Sequence, residues 1–132
     1  MSTLEKAFTL RGKRIVILGG SSGLGLATAQ AAAEEGAEVI IVSSSQHRID
    51  SALETLPGNS RGYAADLSAA EHIQALFEQI GAFDHLVYTA GENISLSMIA
   101  DTDMAKAQEY FKIRFWGAYA AIKYSAPRIN QG

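Results

Sequence analysis

Apolar residues along the chain fall into two alternating patterns. Ile15 to Leu18 and Val39 to Val42 are unbroken apolar runs, which suit strands buried on both faces of a parallel sheet. Arg61 to Ala65 is a weaker strand candidate, and Asp84 to Gly91 reads as a fourth strand with its exit. Helical spacing fills the intervals. Gly23 to Glu35 offers Leu24, Ala27, Thr28, Ala31 and Ala32 as a sheet-facing side, and Gly36 ends it. His47 to Leu56 carries Ile49, Leu53 and Leu56 on one side and stops at Pro57-Gly58-Asn59. Ile73, Leu76, Phe77 and Ile80 make a third stripe, opened by a Ser68/Glu71 capping box and closed by Gly81. Strand and helix therefore alternate, which predicts an α/β fold with helices on both faces of a parallel sheet.

The ends of the pattern differ from its middle. Residues 1 to 12 read as a polar, mobile lead-in that turns at Gly12, and Asn93 to Met98 as a loop. Asp101 or Thr102 can cap a long last helix that reaches Ala126 before Pro127. Met104, Ala107, Phe111, Phe115, Ala118 and Ile122 form one stripe of it, while Tyr110, Ile113, Trp116, Tyr119 and Tyr124 lie partly outside. A helix apolar over most of its circumference must be covered on a second side. A homo-oligomer through Met104 to Ala126 is the expectation, with pairing at a bare sheet edge as a competing cause.

Composition narrows the class. With 132 residues and 48% hydrophobic content, residues 1–132 make a single domain. No apolar run approaches the roughly 18 residues that span a bilayer, and Glu5 and Lys6 interrupt any signal-peptide core, so no membrane role and a cytoplasmic setting are expected. The absence of cysteine excludes disulfides and thiolate chemistry. A net charge of −3 with interspersed signs argues against a nucleic-acid surface. His47, His72 and His85 show no paired spacing, so no metal site is expected.

Chemistry concentrates where the first strand meets its helix. Gly19 can turn at positive φ, Gly23 lets backbone approach a ligand, and Gly25 lets the helix sit close to the sheet. The helix N-terminus, with Ser21, Ser22 and Leu24 in the same loop, then points at a phosphate. This reads as a nucleotide cradle. An ordinary tight turn is the alternative, but the glycines follow a strand and open a helix, which is the context that the cradle requires.

The spacing Gly-x-x-x-Gly-x-Gly resembles that of the short-chain dehydrogenase/reductase family. The resemblance runs from Arg14 to Pro127 and implies an incomplete, doubly wound Rossmann-type sheet of about four β-α repeats. It also implies an oxidoreductase that moves hydride between a nicotinamide dinucleotide and a small carbonyl or alcohol substrate. An Asp at the end of the third strand, here Asp66 followed by Leu67, contacts adenine in that family; Asp66 is also a plausible turn residue. Ala90 and Gly91 match the end of the family's Asn-Asn-Ala-Gly segment, with Tyr88 and Thr89 at the asparagine positions. Leu18 stands where a loop-bracing Thr is common, and Arg114 where many members carry a catalytic-site Asn. The family's fourth helix, which this Phe-Trp-Gly at 115 to 117 resembles, is a common dimer contact.

The end of the second strand selects the cofactor. An acidic residue there would accept the ribose hydroxyls of NAD and repel a 2′-phosphate. Ser43, Ser44 and Ser45 followed by Arg48 point instead to NADP, because hydroxyls and a guanidinium can hold that phosphate. Alternatively the serines cap the next helix and Arg48 is a solvated charge.

The family's Ser and Tyr-x-x-x-Lys would lie after a fifth strand, so the chain is expected to hold the cofactor half and no catalytic residue. Tyr119 and Lys123 have the right spacing but sit on the fourth helix, where such a pair arises by chance. A stand-alone dinucleotide-binding or sensing module, and a catalytically dead self-associating fragment, remain the rival readings.

Overall fold

The computed structural model describes residues 2, 9–91 and 95–131. The lead-in over residues 3–8 and the Asn93 end of the expected loop lie outside the described residues. Four strands form one parallel sheet: β1 (Arg14–Leu18), β2 (Glu38–Ser43), β3 (Arg61–Ala64) and β4 (His85–Tyr88). Their order is β3-β2-β1-β4. The chain thus winds outward from β1 to β3, then returns to the other side of β1. That reversal opens a crevice beyond the carboxyl ends of β1 and β4.

Helices cover both faces. α1 (Gly23–Glu34) and α2 (Gln46–Leu53) pack on Ile15, Ile17, Val39 and Ile41. α3 (Ala70–Ile80) and the C-terminal helix cover Val16, Leu18, Ile40 and Val42. Strand residues alternate sides, so the apolar runs of β1 and β2 are both fully used, as a sheet covered on two faces demands. All four stripe residues of α3 are buried, and Phe77 meets Phe83 with ring centroids 5.8 Å apart.

The structure corrects three local expectations. Among the described residues of α1, the buried positions are Gly25, Ala29 and Ala32, and Leu24 is 81% exposed. The whole helix is made of small residues, so the choice of face falls to whichever side lets the backbone approach, and that is the side bearing Gly25. The Ser68/Glu71 capping box does not form. Ala69 is the N-cap of α3 without a side-chain bond, because the Ser68 hydroxyl is drawn to Asp66. The last helix is capped by Asp103, which accepts from the Lys106 N–H, while Ile99–Asp101 makes a separate 3₁₀ turn.

That last helix is also not uniform. It runs as α4 (Met104–Phe111), a π-helical segment (Lys112–Gly117) and α5 (Ala118–Ser125). The wider π turn redirects the sides that face inward. Gly117, Ala121 and Ser125 are buried, Ile113 packs on the core, and the expected stripe from Met104 to Ile122 largely faces outward. Beyond α5, Ile129 pairs in parallel with Phe83, beside the start of β4.

Candidate nucleotide-binding cleft

A cleft of about 500 Å3 lies over the carboxyl ends of the strands. One wall is the loop between β1 and α1. Gly19 has φ +93° and a Cβ there would fall 2.6 Å from the Ala90 nitrogen, so only glycine fits. A Cβ on Gly25 would overlap the Gly19 carbonyl and the Thr89 hydroxyl. Gly23, at φ +55°, has open space where its Cβ would be. Two of these glycines let protein close on protein, and the third leaves room on the cleft side.

The loop is tied down from both neighbours. The N–H groups of Gly19 and Gly20 donate to the Val42 carbonyl at 2.9 and 3.3 Å. Thr89 Oγ1 lies 3.3 Å from the Leu18 carbonyl oxygen and 3.2 Å from that of Gly19, with one proton to give. A hydroxyl brace, absent at position 18, therefore comes from the residue that follows β4. The first turn of α1 carries no acidic residue and its N-cap Ser22 makes no side-chain capping bond. Its N–H groups and dipole are left to favour an anion.

Towards the outer strands, the lining consists of Ser43, Ser44 and Arg48, then Ala65, Asp66 and Leu67. The serines divide the work between the two readings. Ser45 caps α2 by accepting from the Arg48 N–H, and Ser43 Oγ accepts from the Ser45 N–H. Ser44 and Arg48 are exposed on the cleft. The Asp66 carboxylate accepts the Ser68 hydroxyl at 2.6 Å and its N–H at 2.9 Å. Those bonds, the hydroxyl first, hold its pKa below the usual carboxylate value.

The opposite wall comes from β4 and the π segment: Thr89, Ala90, Gly91, Ile113 and Arg114. The Tyr88 hydroxyl donates to the Ile113 carbonyl at 2.6 Å, and burial pushes the phenol up to about 12, so it stays a donor. Gly117 packs against Tyr88 and the Leu67 carbonyl, where a side chain would collide. Arg114 crosses to Gly91 and stacks on Tyr110, its guanidinium carbon 4.7 Å from the ring centroid.

The structure brings to one cleft Gly19, Ser21, Ser22, Gly23, Leu24, Gly25, Ser43, Ser44, Arg48, Asp66, Leu67, Ala90, Gly91 and Arg114. Ala65, Thr89 and Ile113 also line it without having been expected as binding residues. For Thr89, the signal was its place one residue before Ala90-Gly91. Tyr119 and Lys123 are absent from the cleft lining; both are exposed, and Tyr119 packs edge-on against Trp116. Among the described residues, no group of His, Asp and Glu could hold a metal ion, and no helix is long and apolar enough to cross a membrane.

Comparison with known proteins gives a consistent picture. A family model described as short chain dehydrogenase matches residues 13–132. A short-chain dehydrogenase/reductase of Gibberella fujikuroi is 33% identical, with 99% of this chain and 56% of that protein covered. The solved structure of L-sorbose reductase from Gluconobacter frateurii, complexed with NADPH and L-sorbose, superposes with a TM-score of 0.84 at 30% identity. There 92% of this chain and 49% of that one are covered. A short-chain type dehydrogenase/reductase from Mycobacterium marinum shares the fold, with a TM-score of 0.87 at 24% identity over 97% of this chain and 54% of its own. The chain spans about half the length of the relatives it matches.

Proposed function

The chain belongs to the short-chain dehydrogenase family, and from that footing we propose that it is the NADP-binding portion of an oxidoreductase acting on a small carbonyl or alcohol. The observation that carries this reading is the cleft itself. A glycine loop with an uncharged helix N-terminus lies at the reversal of strand order, flanked by hydroxyls and Arg48 on one side and by Gly91 on the other. When bound, the nicotinamide ring would supply or take up the hydride.

The chain's own residues would bind and orient. The loop N–H groups, with Ser21 and Ser22, would hold the pyrophosphate. Asp66 and Leu67 would border the adenine, the first by hydrogen bonding and the second by apolar contact. Ser44 and Arg48 would take the 2′-phosphate, because no carboxylate at the end of β2 repels it. The fit is chemical as well as spatial, since Gly23 keeps open space beside the phosphate donors.

Calorimetric titration tests the cofactor assignment. NADP should bind more tightly than NAD, Arg48→Ala should erase the preference, and Ser44→Asp should turn it towards NAD. A preference for NAD in the unaltered chain would overturn it. A stand-alone binding module is the second reading, since the glycine loop, Arg48, Asp66 and Gly91 line one cleft. Turnover on a carbonyl panel separates the two, and its loss in Tyr119→Phe would return the chemistry to the helix carrying Tyr119.

A second copy of the chain is proposed to cover the outer face of the last helix. Met104, Phe111, Phe115, Trp116, Tyr119 and Ile122 are all more than half exposed there. So large an apolar patch on one helix is characteristic of an association surface.

A further inference from the structure

Among the described residues, Asp66 is the only acidic side chain lining a cleft that is otherwise suited to anions. A carboxylate there repels phosphate, so it favours binding only where it meets a hydrogen-bond donor of the ligand. At the base end of a dinucleotide that donor is the exocyclic amine of adenine. We infer that Ser68, which has no part in the reading above, is the positioning residue that aims Asp66 at this amine and so lets the cleft tell adenine from a purine with an oxo group there. The inference rests on the proposed dinucleotide function and adds a determinant of base specificity to it.

The backbone that carries Asp66 is held from both sides. Ala65 donates its N–H to the Ser43 carbonyl at 3.0 Å, which ties the exit of β3 to the end of β2, beside Ser44. Leu67 is buried in the core, and Gly117 closes on its carbonyl. The freedom that remains at Asp66 is rotation of its exposed side chain. Ser68 removes it. The Ser68 hydroxyl donates at 2.6 Å and its N–H at 2.9 Å, both to Oδ1, so two donors fix one oxygen. Among the described residues, none donates to Oδ2. That oxygen is left to accept from a ligand, on a carboxylate that the same bonds keep ionised.

Ser68 does not act as a helix cap instead. With Glu71 it has the sequence of a capping box, yet the N-cap of α3 is Ala69, which has no side-chain oxygen to offer. The helix goes without a cap while the hydroxyl that could supply one is bound to Asp66. An exocyclic amine donates to Oδ2, whereas an oxo group at the same place sets one acceptor against another. A carboxylate held in one orientation before the ligand arrives therefore becomes a preference between bases.

The test compares NADPH with its hypoxanthine analogue, in which an oxo group replaces the adenine amine, by calorimetric titration of the chain as it stands. The unaltered chain should favour NADPH by about tenfold, the effect of one charge-assisted hydrogen bond at an exposed site. Asp66→Asn should erase the preference, since an amide both donates and accepts. Ser68→Ala should cut it by about threefold or more through weaker NADPH binding alone, and Ser68→Thr should keep it. A merely structural Ser68 would weaken both ligands by the same factor and leave their ratio unchanged, which would overturn the assignment. So would equal binding of the two by the unaltered chain, although the dinucleotide reading would then stand. If the unaltered chain binds neither, that reading falls and this inference with it.

Discussion

The two walls of the cleft are built on different principles. The loop between β1 and α1 works through backbone: its glycines, its free N–H groups and a helix end with no charged side chain. The wall from β4 and the π segment works through side chains, with Tyr88, Thr89 and Arg114 each placed by a specific contact. The backbone wall is rigid at Gly19 and Gly25, where an added Cβ collides. A side-chain site is adjustable.

The largest expected effect comes from breaking the backbone wall. In Gly25→Ala the new methyl must displace the Gly19 carbonyl or Thr89, at a cost of about 1–3 kcal/mol in stability for an overpacked site. The loop then moves away from the phosphate. Dinucleotide affinity should fall below detection while circular dichroism still shows a folded chain at low temperature. The side-chain wall should be more forgiving. Tyr88→Phe removes one hydrogen bond to the Ile113 carbonyl, worth about 0.5–1.5 kcal/mol by denaturant titration, and should reduce dinucleotide affinity only severalfold.

The same contrast governs what the sequence could reveal. Glycine spacing after an apolar run carries its geometry with it, so the loop, the four strands and the α3 stripe were legible. The face of α1 was misplaced because Leu24, Ala27 and Ala31 are scarcely more apolar than Ala29 and Ala32. Gly25 held the better signal, since the residue needed for close approach must itself face the sheet, and Ala29 and Ala32 follow at helical spacing. The start of α4 was misplaced at Asp101 or Thr102 because Asp103, which caps it, follows directly and has the same capping chemistry. The π segment had no local signal at all. It depends on tertiary partners, Tyr88 against Ile113 and Gly117 against the Leu67 carbonyl, which lie far apart in sequence.

The smallest effect on folding is expected farthest from the cleft. Trp116→Glu places a charge on the exposed outer face, where it should change stability by no more than about 0.5 kcal/mol. If that face pairs with a second copy, sedimentation should show the unaltered chain as a dimer at micromolar concentration and the variant as a monomer. A dimer that survives the substitution would point to the open edge of β4 instead, and a monomer in both would remove the association proposal.

The most direct test of the central claim is a map of amide chemical shifts as NADPH is added to the chain. The account predicts that the largest changes fall on the N–H groups of Ser21 to Gly25, with smaller ones at Ser44, Asp66 and Gly91. Saturating NADPH that leaves those loop amides unmoved, or perturbs only residues outside this cleft, would contradict it.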